Sequence, residues 1–147
     1  MTATRLTDED YAALGAFREA LRNFLSFSEA GALELGLTSQ HHQALLAIRV
    51  HTGPEPMTVG RLAASLQIKS HSAVGLVSRL QERGLVTRST SDEDRRRAIL
   101  TITPKAEALL ETISRNNLAK LQGSAEVFAR LLDTVQSLEA RGAWKGD

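Results

Sequence analysis

Between Thr58 and Pro104 the spacing of apolar residues changes period once, and that single change restricts the chain to very few folds. Thr58 is a good helix cap, and Val59-Gly60-Arg61-Leu62-Ala63-Ala64-Ser65-Leu66 reads as a two-turn helix buried through Leu62, Ala63 and Leu66. A short break at Gln67-Ile68-Lys69-Ser70 leads into a second helix that runs to Arg83, with Ala73, Leu76, Val77 and Leu80 inward. Gly84 stands where a left-handed residue closes a helix. From there the pattern becomes short and β-branched: Leu85-Val86-Thr87-Arg88 and Ala98-Ile99-Leu100-Thr101-Ile102 flank a charged loop from Ser89 to Arg97. Two such runs around a polar loop predict an antiparallel hairpin, with a nine-residue loop longer than usual. Thr103-Pro104 then restarts a helix, threonine as cap and proline at the first helical position.

The segments on either side are helical throughout. A capping box of Thr7 with Asp10 opens the first helix, and Leu14, Phe17, Leu21, Phe24 and Ser28 follow at spacings of three and four up to Gly36. Thr38 caps the next helix, with Ala44, Leu45 and Ile48 inward, and the run His51 to Pro56 breaks it. Beyond Pro104, Leu109, Leu110, Ile113, Leu118 and Leu121 form one stripe. After Gly123-Ser124, Phe128, Leu131, Leu132, Val135 and Leu138 form another. The expected fold class is mainly α with a small β-hairpin, divided into an N-terminal helix (1–37), a central region (38–103) and C-terminal helices (104–147). The outer stripes exceed what the central region can cover.

Charge sharpens the division. The net charge of +1 conceals 9 basic against 4 acidic side chains in residues 58–105, between mildly acidic ends. A basic middle suits a nucleic-acid contact confined to one part of the fold. The absence of cysteine excludes disulfides, thiol nucleophiles and cysteine-based zinc sites. No run approaches the roughly 18 to 20 apolar residues of a membrane span. The acidic start MTATRLTDEDYAAL is wrong for a secretory signal, so a cytoplasmic protein without membrane contact is expected.

Helix, tight turn, helix and hairpin, with arginines on the second helix and in the hairpin loop, is the winged helix-turn-helix plan. Its second helix fits the major groove, and its hairpin, or wing, reaches an adjacent minor groove, whose narrow A·T stretches attract arginine. The segment LTSQHHQALLAI…MTVGRLAASLQIKSHSAVGLVSRLQERGLVTRSTSDEDRRRAILTITPKAEALL resembles the MarR family of bacterial regulators over about residues 37 to 110. LQERGLVTR followed by DEDRRRAILTITPKA carries most of that resemblance. It implies a sequence-specific, double-stranded-DNA-binding homodimer whose terminal helices interlock. The target would be a pseudo-palindrome with half-sites about 10 base pairs apart. It further implies that Arg96 enters the minor groove, held by Asp94, with Arg95 and Arg97 as phosphate contacts. On the second helix Ser70, His71 and Ser72 occupy the first turn, where N–H groups and side chains meet bases and phosphates. Arg79 can reach a phosphate or a guanine, and Lys69 and Arg88 are candidate DNA contacts. Gly75 stands where the family often has a longer polar residue, so no base contact is expected from it.

His41 and His42 are adjacent and point to different helix faces. The resemblance makes them candidates for lining an effector cleft that would take a small aromatic or carboxylic molecule. Some relatives complete a zinc site with histidines of the last long helix, but this chain has no histidine after His71, and no metal or other cofactor is expected. There is no Gly-rich phosphate loop, strained-turn serine or apolar carboxylate pair, so no catalytic residue is assigned and an enzyme is not expected. The alternative reading is a protein-interaction module that kept the winged fold without DNA binding, supported by Gly75 and the short Ser70, Ser72 and Ser78 side chains.

Overall fold

A computed structural model of the chain describes residues 4–90 and 97–142. Six helices and one hairpin follow in the order α1 (Asp8–Glu34), α2 (Ser39–Val50), α3 (Val59–Leu66), α4 (Ser70–Glu82), β1 (Val86–Thr90), β2 (Ala98–Ile102), α5 (Pro104–Gln122) and α6 (Ala125–Ala140). The fold class expected from the sequence is therefore observed. Two compact units result, one from residues 29–115 and the other from the residues up to Ser28 together with those from Asn116 onward.

In the first unit the core is Leu37, Leu45, Leu62, Leu76, Val77, Leu80, Leu85 and Val86, all at most 1% exposed, extended by Ile48, Met57, Leu100, Ala106, Leu110 and Ile113. The inward faces expected of α2 and α4 are all buried. Leu66 of α3 packs only partly against the core.

Three helices end in the same way, and these endings set the angles of the unit. After α1 the amide of Leu37 donates to Ala32 and that of Gly36 to Leu33; after α4 the amide of Leu85 donates to Leu80 and that of Gly84 to Gln81. Gly36 and Gly84 hold φ of +77° and +70°, the left-handed region where a Cβ is strained. Between α3 and α4 the same closure is made without glycine. Gln67 takes φ 55° and ψ 43°, and the Ile68 amide donates to Ala63. Each closure drops an apolar residue (Leu37, Ile68, Leu85) onto the core.

The hairpin pairs Val86 with Ile102 and Thr90 with Ala98 in antiparallel register. The first strand thus runs to Thr90 rather than ending at Arg88. Ser89 and Thr90 find register partners in Ile99 and Ala98, so the pairing reaches two residues beyond the expected strand end. Two bonds anchor it: the Leu100 amide donates to the Met57 carbonyl, and the Thr103 amide to that of Leu85. The Thr103 hydroxyl donates to the Gly84 carbonyl at 2.7 Å while accepting from the Ala106 amide at 3.2 Å, so one side chain closes the hairpin and caps α5.

The other unit opens with the expected capping box, Thr7 amide to Asp10 carboxylate at 2.8 Å and Asp10 amide to Thr7 hydroxyl at 3.3 Å. Phe17 and Phe128 meet edge to face at 5.7 Å, and Arg141 donates to both carboxylate oxygens of Asp10 at 3.1 Å. Leu14, Leu118, Leu132 and Val135 of the expected stripes remain 50–67% exposed. No helix among the described residues is long and apolar enough to cross a membrane.

Candidate nucleic-acid interface

With Ala73, Leu76, Val77 and Leu80 turned inward, the 100° step of a helix places His71, Gly75, Ser78 and Glu82 on the opposite side of α4. Ser70, His71 and Ser72 are exposed in its first turn. Lys69, the N-cap residue, makes no side-chain capping bond, and among the described residues no other side chain caps the leading amides of α4. That arrangement suits an anion or a polar edge approaching along the helix axis. Val74, 48% exposed, flanks the same face and had no part in the motif reading.

Arg79 is exposed, and its guanidinium lies over the backbone of Gly75. A methyl group on the Gly75 Cα would stand 3.5 Å from Arg79 Nη1. The surface at position 75 is therefore covered by a longer polar group, borrowed from the next turn.

At the base of the hairpin, Arg88 on β1 and Arg97 just before β2 line a shallow cleft with Thr58, Val59, Gly60 and Ala98. The Glu55 carboxylate sits 3.3 Å from Arg97 and 3.1 Å from Arg61. Glu55 lies in the Pro-rich break before α3, and its link to Arg97 spans 42 residues of sequence. No local pattern announces such a pair. Asp94, Arg95 and Arg96 lie outside the described residues.

His41 and His42 part company. The His41 amide donates to the Thr38 hydroxyl at 3.1 Å, and the ring Nδ1 accepts from the Thr38 amide at 3.4 Å, so His41 completes the cap of α2. Partial burial, then the nearby positive charges of Arg83 and Arg79, hold this ring below its ordinary pKa. His42 is 8% exposed, its Nε2 finds no hydrogen-bond partner among the described residues, and burial lowers its pKa as well. Among the described residues no three His, Asp or Glu side chains gather as a metal site.

Known proteins share this arrangement. The model of the MarR family matches residues 35–97, which span α2, α3, α4 and the first strand of the hairpin. A crystal structure of a MarR family transcription regulator is similar with TM-score 0.70 and 29% identity, over 89% of this chain and 87% of that one. A mutant of MepR from Staphylococcus aureus, bound to an oligodeoxyribonucleotide, is similar with TM-score 0.66 at 19% identity, over 91% and 99%. CouR from Rhodococcus jostii RHA1, bound to p-coumaroyl-CoA, is similar with TM-score 0.62 at 23% identity, over 82% and 87%. Helix, left-handed turn, helix and threonine-anchored hairpin thus lie on the segment that matches the MarR family model, and the chain is similar in fold to MarR family transcription regulators.

Proposed function

We propose that the chain acts as a homodimeric, sequence-specific DNA-binding repressor on a pseudo-palindromic operator, released by a small-molecule effector. The observation that carries this reading is α4 itself: a polar outward face with an uncapped leading turn, beside a hairpin bearing Arg88 and Arg97. Laid in a major groove, α4 brings Ser70, His71 and Ser72 to base edges and Lys69 to a phosphate. Arg96, steadied by Asp94, enters the neighbouring minor groove, and Arg88, Arg95 and Arg97 meet the backbone. The relative bound to an oligodeoxyribonucleotide supports the DNA reading, and the one bound to p-coumaroyl-CoA supports an aromatic or carboxylic effector.

The second copy is the partner that best fits the apolar groove of Leu6, Tyr11, Leu14, Leu131, Val135 and Leu138. That groove continues the stripes left bare on α1 and α6, and charged groups are scarce in it. Effector release is linkage: a ligand lowers DNA affinity only by preferring a conformation that the operator does not.

Selection of bound fragments from random duplex DNA tests the whole reading. Enriched inverted half-sites about 10 base pairs apart are expected, with a log–log salt slope of several. A slope near zero with no enriched sequence would leave a protein-interaction role in its place.

A further inference from the structure

We infer that Gly75 and Arg79 act as one base-reading unit, in which the bare glycine seats the arginine so that its guanidinium reads a guanine. This rests on α4 being the helix that enters the major groove. Side chains on a helix slope towards its N-terminus, so a residue at i+4 covers the surface above residue i. Here that cover is close: apart from the adjacent residues and the backbone of α4 itself, the one heavy atom among the described residues within 4 Å of a methyl placed on Gly75 is Arg79 Nη1, at 3.5 Å. Alanine would just touch the guanidinium. A larger side chain at position 75 would compete with the planar fork for this space.

The seat changes what Arg79 can do. On its own position the residue stands to one side of the outward face, where a phosphate strand passes. Folded over Gly75, its charge moves to the middle of that face, between the exposed His71 and the short Ser78. A helix lying in the major groove turns that middle line to base edges and its flanks to the backbone. A planar fork with several donors there matches the O6 and N7 acceptors of guanine, which two parallel hydrogen bonds read at once. Arg79 forms no ion pair among the described residues that would hold it elsewhere. Glycine is also among the poorest residues for a helix interior, so its place in the second turn of α4 costs stability that a larger residue would restore.

The test uses the full-length protein and a duplex selected by it from a random pool, with each guanine in turn replaced by 7-deazaguanine, which lacks the N7 acceptor. We expect one position per half-site at which the wild-type protein loses about tenfold or more in affinity, within the range of a good bidentate contact. Arg79→Ala should lose a similar factor on the unmodified duplex and be insensitive to the replacement. Arg79→Lys should keep the salt slope yet lose much of the discrimination. Gly75→Ala should keep it. Gly75→Leu should match Arg79→Ala in binding while its thermal midpoint rises by about 2–4 °C, which separates loss of the seat from loss of the fold. Undiminished guanine discrimination in Gly75→Leu would overturn the inference. So would an Arg79→Ala variant that weakens binding equally on all sequences and lowers the salt slope by about one, the mark of a phosphate contact. Duplex binding without any response to 7-deazaguanine removes this inference alone, whereas failure to select any duplex removes the DNA-binding reading beneath it.

Discussion

His42 carries a buried ring nitrogen with no hydrogen-bond partner among the described residues, and the consequence of its burial is a pH dependence of stability. Burial disfavours its charged form, and burial with the charges of Arg83 and Arg79 does the same at His41. The unfolded chain therefore takes up protons near the ordinary histidine value of 6.5, before the folded chain does. Stability is full above that pH and falls as the pH drops through 6.5 towards the lowered folded values. The urea midpoint should be lower at pH 5 than at pH 8, and the double variant His41→Gln/His42→Leu should flatten much of that difference. Equal midpoints for the wild-type protein at the two pH values would contradict this account of both rings. Glu55 makes the opposite kind of contact, exposed and shared between Arg61 and Arg97. Its ion pairs are worth at most about 1 kcal/mol to the fold. Glu55→Gln should leave stability nearly unchanged while DNA affinity rises several-fold at low salt, because Arg97 no longer exchanges a carboxylate for a phosphate; unchanged affinity in a filter-binding titration would count against that exchange. Neither residue's situation was legible in the sequence. The motif reading placed His41 and His42 together as candidate cleft polar groups, and nothing local distinguishes a ring that caps its own helix from its neighbour turned into the protein.

The elements were more readable, because their signals are local. Thr7, Thr38, Thr58 and Thr103 each precede a helix, and each hydroxyl accepts from the amide three residues on. The buried faces of α2 and α4 followed from spacing alone. Two features escaped. The extension of β1 to Thr90 depends on partners across the hairpin, which no strand propensity specifies, and the left-handed turn at Gln67 lacks the glycine that would advertise it. Gln67 holds a backbone conformation that costs an L-residue about 1 kcal/mol or more. Gln67→Gly should therefore stabilise the protein by roughly 0.5–1 kcal/mol after allowing for the looser unfolded chain, read as a higher urea midpoint with an unchanged m-value. A loss of stability would mean that the glutamine side chain holds the turn in a way its backbone does not reveal. Thr103→Val should cost about 1–2 kcal/mol in the same measurement, since it deletes both a cap of α5 and the bond to Gly84.

At the scale of the molecule, the exposed apolar residues of α1 and α6 predict behaviour that depends on concentration. Val135→Arg, placed in the groove beside Tyr11 and Leu14, should yield a monomer in sedimentation experiments and weaken operator binding by tenfold or more. A stable dimer in that variant would exclude this face as the contact. The stripes were legible as unsatisfied apolar surface, but the second copy proposed to cover them cannot be read from one chain's spacing. The polar ties of α4 lead to a last consequence. Arg83 donates to Gly36, Lys105 to Arg83 and Thr103 to Gly84, all at the C-terminal end of the helix. Its leading turn has no comparable tether among the described residues. A 13-residue helix is about 20 Å long. Tied by polar bonds at one end only, while its inward face rests on apolar packing, the helix has the geometry of a lever: a rotation of roughly 5° at the root would displace the tip by about 2 Å, about half a base-pair rise. Small changes in the packing around Arg83 would thereby be geared up at the far end, where Ser70 and His71 sit.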